Sequence, residues 1–277
     1  MAGDDYKKGS IGFWENAWAH KIATFSLTKP VDDWGYFDVF RGFCLEKILL
    51  KNKNIFSLEC GCGSACISLY LASKGVKTAM LDTSSSALNL ARETFRKYNL
   101  NGIFINGNME SLPFPDETFD LIISFGVLEH FEDMLPGIKE MVRVLKRGGI
   151  FFAAVSPKKH SVQDIGNLIN AFMRFLYNIK HNRFKEAFLN SYPIKPGFYE
   201  NSYSASEYIS LVRQSGLKEV KLSGSRPFPS LDLTPGFLKI YIILMKILRP
   251  LHILFETHPS KFTEILGAEW NIIGIKE

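Results

Sequence analysis

Apolar and polar positions follow a regular pattern between residues 54 and 156, where short apolar runs alternate with longer segments of helical period. The apolar runs predict strands over 54–60, 77–81, 103–106, 119–125 and 149–156. Helices are predicted between them, over 64–74, 84–98 and 132–145. Ser84 is the predicted N-cap of the second of these helices. Such alternation predicts an α/β domain built around a mostly parallel sheet.

The pattern is less regular outside this central region. A short helix over 205–215, a strand over 217–223 and an apolar strand in "WNIIGIKE" are still predicted. The remaining segments are interpreted as additions to one sheet, so a single domain over 1–277 is expected. Its predicted parts are a helical cap over 1–50, a core over 54–156, an acceptor-pocket or lid insertion over 157–203 and an apolar insertion over 225–268.

Composition is that of a globular protein with a substantial core. The chain has 277 residues, 46% of them apolar, and its four cysteines are too few for a disulfide framework. It opens without a charged and then apolar leader, so a cytoplasmic location is expected. The net charge of +5 is modest and the basic residues are spread along the chain, which disfavours nucleic acid as a partner.

Three cysteines and two glycines lie close together in "SLECGCGSACISL", residues 57–69. A zinc site needs a second set of ligands, yet only Cys44 remains elsewhere, and no redox Cys-x-x-Cys pair is present, so no metal site is predicted. Gly61 and Gly63 are more informative, because they follow a predicted buried strand and precede a helix. There they allow a sharp turn and the close approach of a ligand to the backbone.

Two classes of nucleotide site use such a turn. The dinucleotide fingerprint Gly-x-Gly-x-x-Gly is followed about 20 residues later by an acid that binds ribose hydroxyls. Asp82 meets the second requirement, 19 residues after Gly63, but Cys66 stands at the position of the third glycine. A nicotinamide-dependent dehydrogenase is therefore disfavoured, and the lack of a second mononucleotide-binding half argues the same way.

The sequence Glu59-x-Gly61-x-Gly63-x-Ala65 resembles the first motif of the class I S-adenosylmethionine-dependent methyltransferases. The resemblance continues through "MLDTSSSALNLAR", "GNMESLPFPDETFDLIISFGVLEH" and "EMVRVLKRGGIFFAAV", and "WNIIGIKE" is similar to the family's final strand. Small-molecule enzymes of the ubiquinone and sterol biosynthesis type are the most similar members. The resemblance implies a Rossmann-like, mostly parallel sheet of seven strands with helices on both faces and an antiparallel last strand. It implies S-adenosylmethionine as cofactor and S-adenosylhomocysteine as product.

The same resemblance implies which residues contact the cofactor. Glu59 and the turn would border the methionine portion, Asp82 would accept hydrogen bonds from the ribose, and Asn108 would face adenine where the family usually has an acid. Helix capping by Asp82 and a simple turn role for Asn108 stay open as alternatives. The predicted cofactor-binding residues are Glu59, Gly61, Cys62, Gly63, Asp82, Thr83, Asn108, Met109, Phe125 and Gly126.

Methyl transfer needs alignment, exclusion of water and removal of one proton, so its catalytic residues are hard to identify from sequence. Glu129 and His130 follow the fourth predicted strand and are candidates for deprotonating an acceptor, with helix capping as the alternative. His160 is a third candidate. The predicted acceptor-binding residues, each also explicable by packing alone, are Trp14, Trp18, Tyr199 and Tyr203.

An apolar segment over 234–259 has no uncharged, proline-free run longer than six residues, far short of the ~20 that span a bilayer. Lys239, Lys246 and Arg249 form a narrow basic stripe, which suits a lid over an apolar acceptor or a helix at a membrane surface, here placed over 235–255. A helix buried against the protein or in a dimer contact is the open alternative.

Together these observations predict an enzyme that transfers a methyl group from S-adenosylmethionine to a small, apolar acceptor. Oxygen is the favoured acceptor atom, with carbon and nitrogen left open. Two alternatives remain: a binding or scaffold protein that keeps the fold without turnover, and a methyltransferase that acts on protein or nucleic acid. The sequence predicts neither the acceptor's identity nor the oligomeric state.

Overall fold

The computed structural model of the protein describes residues 11–21, 26–27, 32–49, 54–189 and 200–277. Seven strands of these residues form one sheet, in the order β3-β2-β1-β4-β5-β7-β6. All neighbouring strands are parallel except β7, which runs antiparallel to both β5 and β6. The strands are β1 (Phe56–Cys60), β2 (Lys77–Asp82), β3 (Ile103–Asn106), β4 (Phe119–Phe125), β5 (Leu145–Val155), β6 (Leu217–Ser225) and β7 (Glu269–Lys276).

The helices of the described residues lie between and around these strands. They are α1 (Ile11–Ala19), α2 (Asp33–Leu49), α3 (Cys66–Ser73), α4 (Ser85–Lys97), α5 (Leu135–Val144), α6 (Val162–Lys180), α7 (Phe184–Leu189), α8 (Ala205–Gln214), α9 (Pro235–Ile247), α10 (Arg249–Thr257) and α11 (Lys261–Leu266). A 3-10 turn over Leu128–His130 follows β4. None of the described helices is both long enough and apolar enough to cross a membrane.

The predicted fold class is confirmed, and most predicted elements are present with shifted ends. Ser84 is the N-cap of α4, because its hydroxyl accepts a hydrogen bond from the amide of Ala87 at 3.1 Å. Strand β5 begins four residues earlier than predicted, since Leu145 already pairs with Phe119 before the register shifts. Helix α5 begins at Leu135, where Pro136 suits the first turn, and not at 132.

Two segments differ from expectation. The 19-residue helix α6 was not predicted within 157–203, although Ser161 and Asp164 form a capping box at its start. The apolar segment predicted as one helix divides into α9 and α10, because Pro250 begins a new helix after Leu248.

Candidate active site

A cavity of about 600 Å³ opens at the carboxyl ends of the parallel strands. Residues at the ends of β1, β2, β4 and β5 line it, as expected for an open α/β sheet. The sheet order brings these strand ends together, because β1 lies between β2 and β4. The central strands therefore position the floor of the site.

The glycine turn after β1 forms one wall of this cavity. The amides of Gly61 and Cys62 both donate to the carbonyl of Leu81, at 2.8 and 3.0 Å, which holds the turn against β2. Gly61 and Gly63 have left-handed φ values of 68° and 51°. A Cβ on Gly61 would lie 2.4 Å from Val127 Cγ2, so the turn leaves no space for a side chain there.

Two buried acids hold the turn in place. Glu59 accepts from the amide of Ser68 in α3 at 3.1 Å, and burial raises its pKa to about 7. Asp82 accepts from the amide of Gly63 at 2.8 Å and from the amide of Ser84 at 2.9 Å. Burial also raises the pKa of Asp82. Asp82 is not the cap of α4, since that role belongs to Ser84.

The cysteines of the turn are buried thiols. Cys60, Cys62 and Cys66 are free, and burial raises the pKa of each above its ordinary value, so they are protonated at neutral pH. Within the described part of the chain, no group of three or more His, Cys, Asp or Glu residues is arranged to hold a metal ion. These cysteines act as small apolar residues that pack the turn and the start of α3.

Asn108 and Met109 lie after β3 and line the cavity in different ways. The Asn108 side chain accepts from the amide of Glu110 at 3.0 Å and donates to its carboxylate at 3.1 Å, so a local turn uses both of its polar atoms. Met109 is buried and packs against Gly137 of α5. The turn role of Asn108 is thus present in the structure, and its contact with a ligand stays a prediction.

Glu129 and His130 lie in the 3-10 turn and also line the cavity. Glu129 Oε1 accepts from the amide of Ser156 at 2.9 Å, whereas Oε2 is buried without a hydrogen-bond partner among the described residues. Burial raises the pKa of Glu129 to about 8, so this carboxyl is mainly protonated at neutral pH. The ring of His130 lies 5.0 Å from that of Trp14.

The structure brings most of the predicted residues to the cavity, including Cys62, Thr83, Phe125, Gly126, Trp14 and Trp18. It does not bring two others there. His160 has a fully exposed side chain that pairs with Asp164 at 3.1 Å, and Tyr203 donates its hydroxyl to the carbonyl of Glu132 at 2.8 Å. Tyr199 lies outside the described residues.

A second wall of the cavity includes charged residues that sequence reasoning missed. Trp34, Asp38 and Arg41 of α2 line it, together with Glu200 and Glu269. The only local signal was the spacing of Asp38 and Arg41 by three residues in a stretch, 34–45, that has no other charged residue; they form an ion pair of 3.1 Å. Glu269 comes from β7 and could not have been associated with α2 from its position in the sequence.

This second wall is a compact cluster of charges. Arg41 pairs directly with Glu269, and Arg226 Nη1 lies 3.2 Å from the same carboxylate. Burial opposes ionisation of Glu269, but the two arginines hold its pKa below the ordinary value. Asp38 differs, because burial raises its pKa to about 6 although Arg41 opposes the shift. At neutral pH Asp38 is therefore mainly a carboxylate, but one that takes up a proton more readily than usual.

The first wall fits S-adenosylmethionine. Gly61 and Gly63 both line the cavity, and Trp18 lies across Gly63, within 2.6 Å of where a Cβ would stand. Asp82 offers carboxylate oxygens at the end of β2, where a ribose diol can donate to them. Oε2 of Glu129 is a further polar atom at the cavity that is buried without a hydrogen-bond partner among the described residues.

Comparison with known proteins identifies the domain. Residues 58–153 match the methyltransferase domain family. A demethylmenaquinone methyltransferase of Listeria welshimeri is 32% identical over 152 residues, which cover 53% of this chain and 61% of the relative. A chloroplastic 2-methyl-6-phytyl-1,4-hydroquinone methyltransferase of Oryza sativa is 30% identical over 139 residues, covering 49% of this chain and 41% of the relative.

The fold of the chain is also found in solved methyltransferase structures. A solved S-adenosylmethionine-dependent methyltransferase from Aquifex aeolicus superposes with a TM-score of 0.54 at 14% identity, covering 89% of this chain and 95% of that one. The matched domain, the order of its strands and the glycine turn with Asp82 agree with one another. Residues 58–153 therefore form a methyltransferase domain, and the chain has the fold of the class I S-adenosylmethionine-dependent methyltransferases.

Proposed function

We propose that the protein transfers the methyl group of S-adenosylmethionine to a hydroxyl oxygen of a small, apolar, ring-containing acceptor. The observation that carries the proposal is the pairing, in one cavity, of the glycine turn with three tryptophans and the carboxyl groups of Asp38 and Glu129, whose pKa values are raised. Trp14, Trp18 and Trp34 supply apolar surface, and Asp38 and Glu129 supply the titratable groups.

Each residue has a defined task in this proposal. When bound, S-adenosylmethionine supplies a methyl group already activated by its sulfonium. Asp38 accepts the proton of the acceptor hydroxyl, because it is ionised at neutral pH and its raised pKa makes it a better base than an exposed aspartate. Arg41 fixes the position of Asp38. Protonated Glu129 keeps Oε1 on Ser156 and offers a donor from Oε2 to an oxygen of the acceptor.

The names of the relatives support an apolar acceptor. The Listeria protein is named for demethylmenaquinone and the rice protein for a phytyl hydroquinone, which are quinone-type ring compounds. The chain spans only 61% and 41% of these relatives, so their substrates support the class of acceptor and not its identity. The predicted contact of residues 235–255 with a membrane surface belongs to the same proposal, since compounds of this class partition into lipid.

Calorimetric titration with S-adenosylmethionine, S-adenosylhomocysteine and NAD tests the cofactor half. We expect binding of both adenosyl ligands, and a loss of about tenfold or more in Asp82→Asn, because the ribose loses a charged acceptor. Asp116→Asn is the matched control, since Asp116 is exposed and outside the cavity. Heat with NAD alone, or equal affinity in both variants, would contradict the assignment.

Turnover tests the acceptor half. Substituted hydroquinones are incubated with the full chain, S-adenosylhomocysteine is quantified, and the methylated atom is found by NMR. We expect an O-methyl product and a kcat at least tenfold lower in Asp38→Asn, with cofactor affinity unchanged. A product methylated at carbon or nitrogen would contradict the choice of oxygen. Cofactor binding without turnover of any acceptor would favour the scaffold alternative.

A further inference from the structure

Helix α6 packs against the rest of the protein with its polar face. Gln163 and Asn170 both donate to the carbonyl of Ser230, at 3.2 and 3.1 Å, and Asn170 accepts from the amide of Asp232 at 2.8 Å. Arg174 pairs with the Asp232 carboxylate at 3.0 Å. These side chains recur at the spacing of one helix face, so the inward face of α6 is hydrophilic.

The opposite face of α6 is apolar and exposed. Leu168 and Phe172 keep 69% and 60% of their surface open to solvent, and Ile165 and Leu176 share their stripe. An ordinary surface helix buries its apolar face and exposes its polar one. Helix α6 does the reverse. We therefore expect its apolar face to contact something outside the described residues.

Helix α9 presents a second apolar surface of the same kind. Its buried residues Ile242 and Met245 pack on Tyr36 and Phe37, with Leu238 and Tyr241 partly buried beside them. Four other apolar residues of α9 are each more than half exposed, namely Phe237, Ile240, Ile243 and Ile247.

Both helices are fixed to the short segment 229–232. Tyr241 of α9 donates its hydroxyl to the carbonyl of Pro229 at 2.6 Å, and α6 bonds to the neighbouring Ser230. We call the four exposed residues of α6 (Ile165, Leu168, Phe172 and Leu176) together with the four of α9 the apolar docking surface.

The charges beside this surface have one dominant sign. Residues 234–255 contain Lys239, Lys246 and Arg249 and no acidic residue, and all three basic residues are exposed. At the end of α6 and the start of α7, the exposed basic residues are Lys180, Arg183 and Lys185. Two copies of the protein meeting through this surface would bring like charges together. An anionic surface complements it.

We propose that the apolar docking surface binds the face of an anionic lipid bilayer, with the side chains of α6 and α9 inserted among the headgroups and the basic residues on lipid phosphates. The inference rests on the proposed function in one respect, since a bilayer is where an apolar acceptor would be held. The proposed contact is with the membrane surface, because no described helix is long and apolar enough to span a bilayer.

The docking surface is attached directly to the second wall of the cavity, here called the acceptor wall. Asp33, which precedes the cavity residue Trp34, accepts from the hydroxyl of Ser230 at 2.7 Å and from the amide of Leu231 at 3.1 Å. The guanidinium of Arg226 lies 4.8 Å above the Trp34 ring. An acceptor that leaves the bilayer beside α6 and α9 therefore meets Trp34 and the cavity close by.

Vesicle flotation of the full chain tests the proposal. Neutral phosphatidylcholine vesicles are compared with vesicles containing one part in three of phosphatidylglycerol. We expect at least tenfold tighter binding to the anionic vesicles, weakened by high salt. Two double variants, Leu168→Gln/Phe172→Gln and Ile240→Gln/Ile243→Gln, should each bind the anionic vesicles at least tenfold more weakly than wild type. Ile103→Gln is the matched control, because Ile103 is 42% exposed but lies on β3, at the sheet edge opposite β6.

Three outcomes would overturn the inference: no binding to either vesicle, equal binding by wild type and both double variants, or a dimer in solution that these substitutions dissociate. Calorimetry with S-adenosylhomocysteine and turnover of a water-soluble hydroquinone are run on the same samples. Normal results there with no vesicle binding would reject the lipid surface and leave the proposed function intact. Failure of both in protein that binds vesicles would reject the function and leave the surface.

Discussion

At the scale of single residues, Glu129 makes stability depend on pH. Its pKa is about 8 in the folded protein against an ordinary 4.5, because it is buried with one oxygen unbonded. The contribution of its protonated form to the free energy of unfolding is therefore fully present below about pH 4.5. That contribution is lost as pH rises through about 8. The carboxylate form is the one that the fold disfavours.

We therefore expect Glu129→Gln to melt at a higher temperature than wild type at pH 9, with the difference shrinking toward pH 5. The glutamine oxygen can still accept from Ser156, so the comparison isolates the charge. Differential scanning calorimetry at pH 5, 7 and 9 measures it, with Glu132→Gln as an exposed neighbouring control. A constant difference across this range would contradict the assignment.

Gly61 and Gly75 allow a matched test of the turn. Both have left-handed φ values, 68° and 84°, but an added Cβ meets Val127 at Gly61 and nothing within 4 Å at Gly75. Alanine at Gly75 should cost about 1 kcal/mol of unfolding free energy, from backbone strain alone. Alanine at Gly61 should cost about 1–3 kcal/mol more, because the side chain is forced into packed space.

Urea unfolding of both variants measures this difference. Gly61→Ala should in addition weaken S-adenosylhomocysteine binding, which Gly75→Ala should leave unchanged. The double variant Gly61→Ala/Val127→Ala should recover part of the lost stability, because it removes the contact. Equal losses in the two single variants would mean that the turn relaxes away from Val127.

At the scale of elements, Gly224 decides how closely α11 packs on β6. A Cβ at Gly224 would lie 1.7 Å from the carbonyl oxygen of Thr263, a backbone atom that cannot turn aside. Gly224→Ala should therefore displace α11 and cost about 1–3 kcal/mol. Trp270 donates its indole N–H to Glu264 of α11 at 2.9 Å, so tryptophan fluorescence of the folded protein should change as well.

Gly236→Ala is the control for this substitution, because nothing lies within 4 Å of its added Cβ. Gly236 lies in the first turn of α9, where alanine is a better helix former. We expect its unfolding free energy to stay level or rise slightly. If Gly224→Ala behaves like Gly236→Ala in fluorescence and in urea, α11 does not depend on close contact with β6.

The central elements were predictable because their signals are local. Each of the strands β1, β2 and β4 is an apolar run next to a turn signal, and strands buried on both faces have that sequence pattern. Helix α6 was not predicted because its pattern is inverted. Four of its apolar residues, Ile165, Leu168, Phe172 and Leu176, have helical spacing but stay exposed, while Gln163 and Asn170 do the packing.

The residues of the site were likewise predictable only where their signals are local in the sequence. Gly61, Gly63 and Asp82 were found because strand, turn and acid follow one another within one strand-helix-strand unit. Asp38 and Glu269 were missed because they meet only through tertiary structure. His160 was a reasonable candidate from its position after β5, but the start of α6 turns its ring into solvent beside Asp164.

At the scale of the whole molecule, the cavity joins parts of the chain that are far apart in sequence. Arg41 and Glu269 are separated by 228 residues, and Arg226 completes their cluster from the end of β6. Two arginines and the acids Asp38 and Glu269 balance in charge, which lets them share a largely buried position. The first wall, with the glycine turn and Asp82, comes by contrast from within the matched domain, apart from Trp18 of α1.

The position of β7 has a consequence for how the protein is made. It is the last strand in the chain but lies between β5 and β6, so β6 cannot join the sheet before β7 has been synthesised. Until then one edge of β5 is unpaired in the nascent chain, and Arg41 cannot form its ion pair with Glu269. The glycine turn can therefore form during translation while the acceptor wall cannot. From the completion of β5 until β7 is synthesised, the nascent protein is a cofactor-binding domain with an open, aggregation-prone edge.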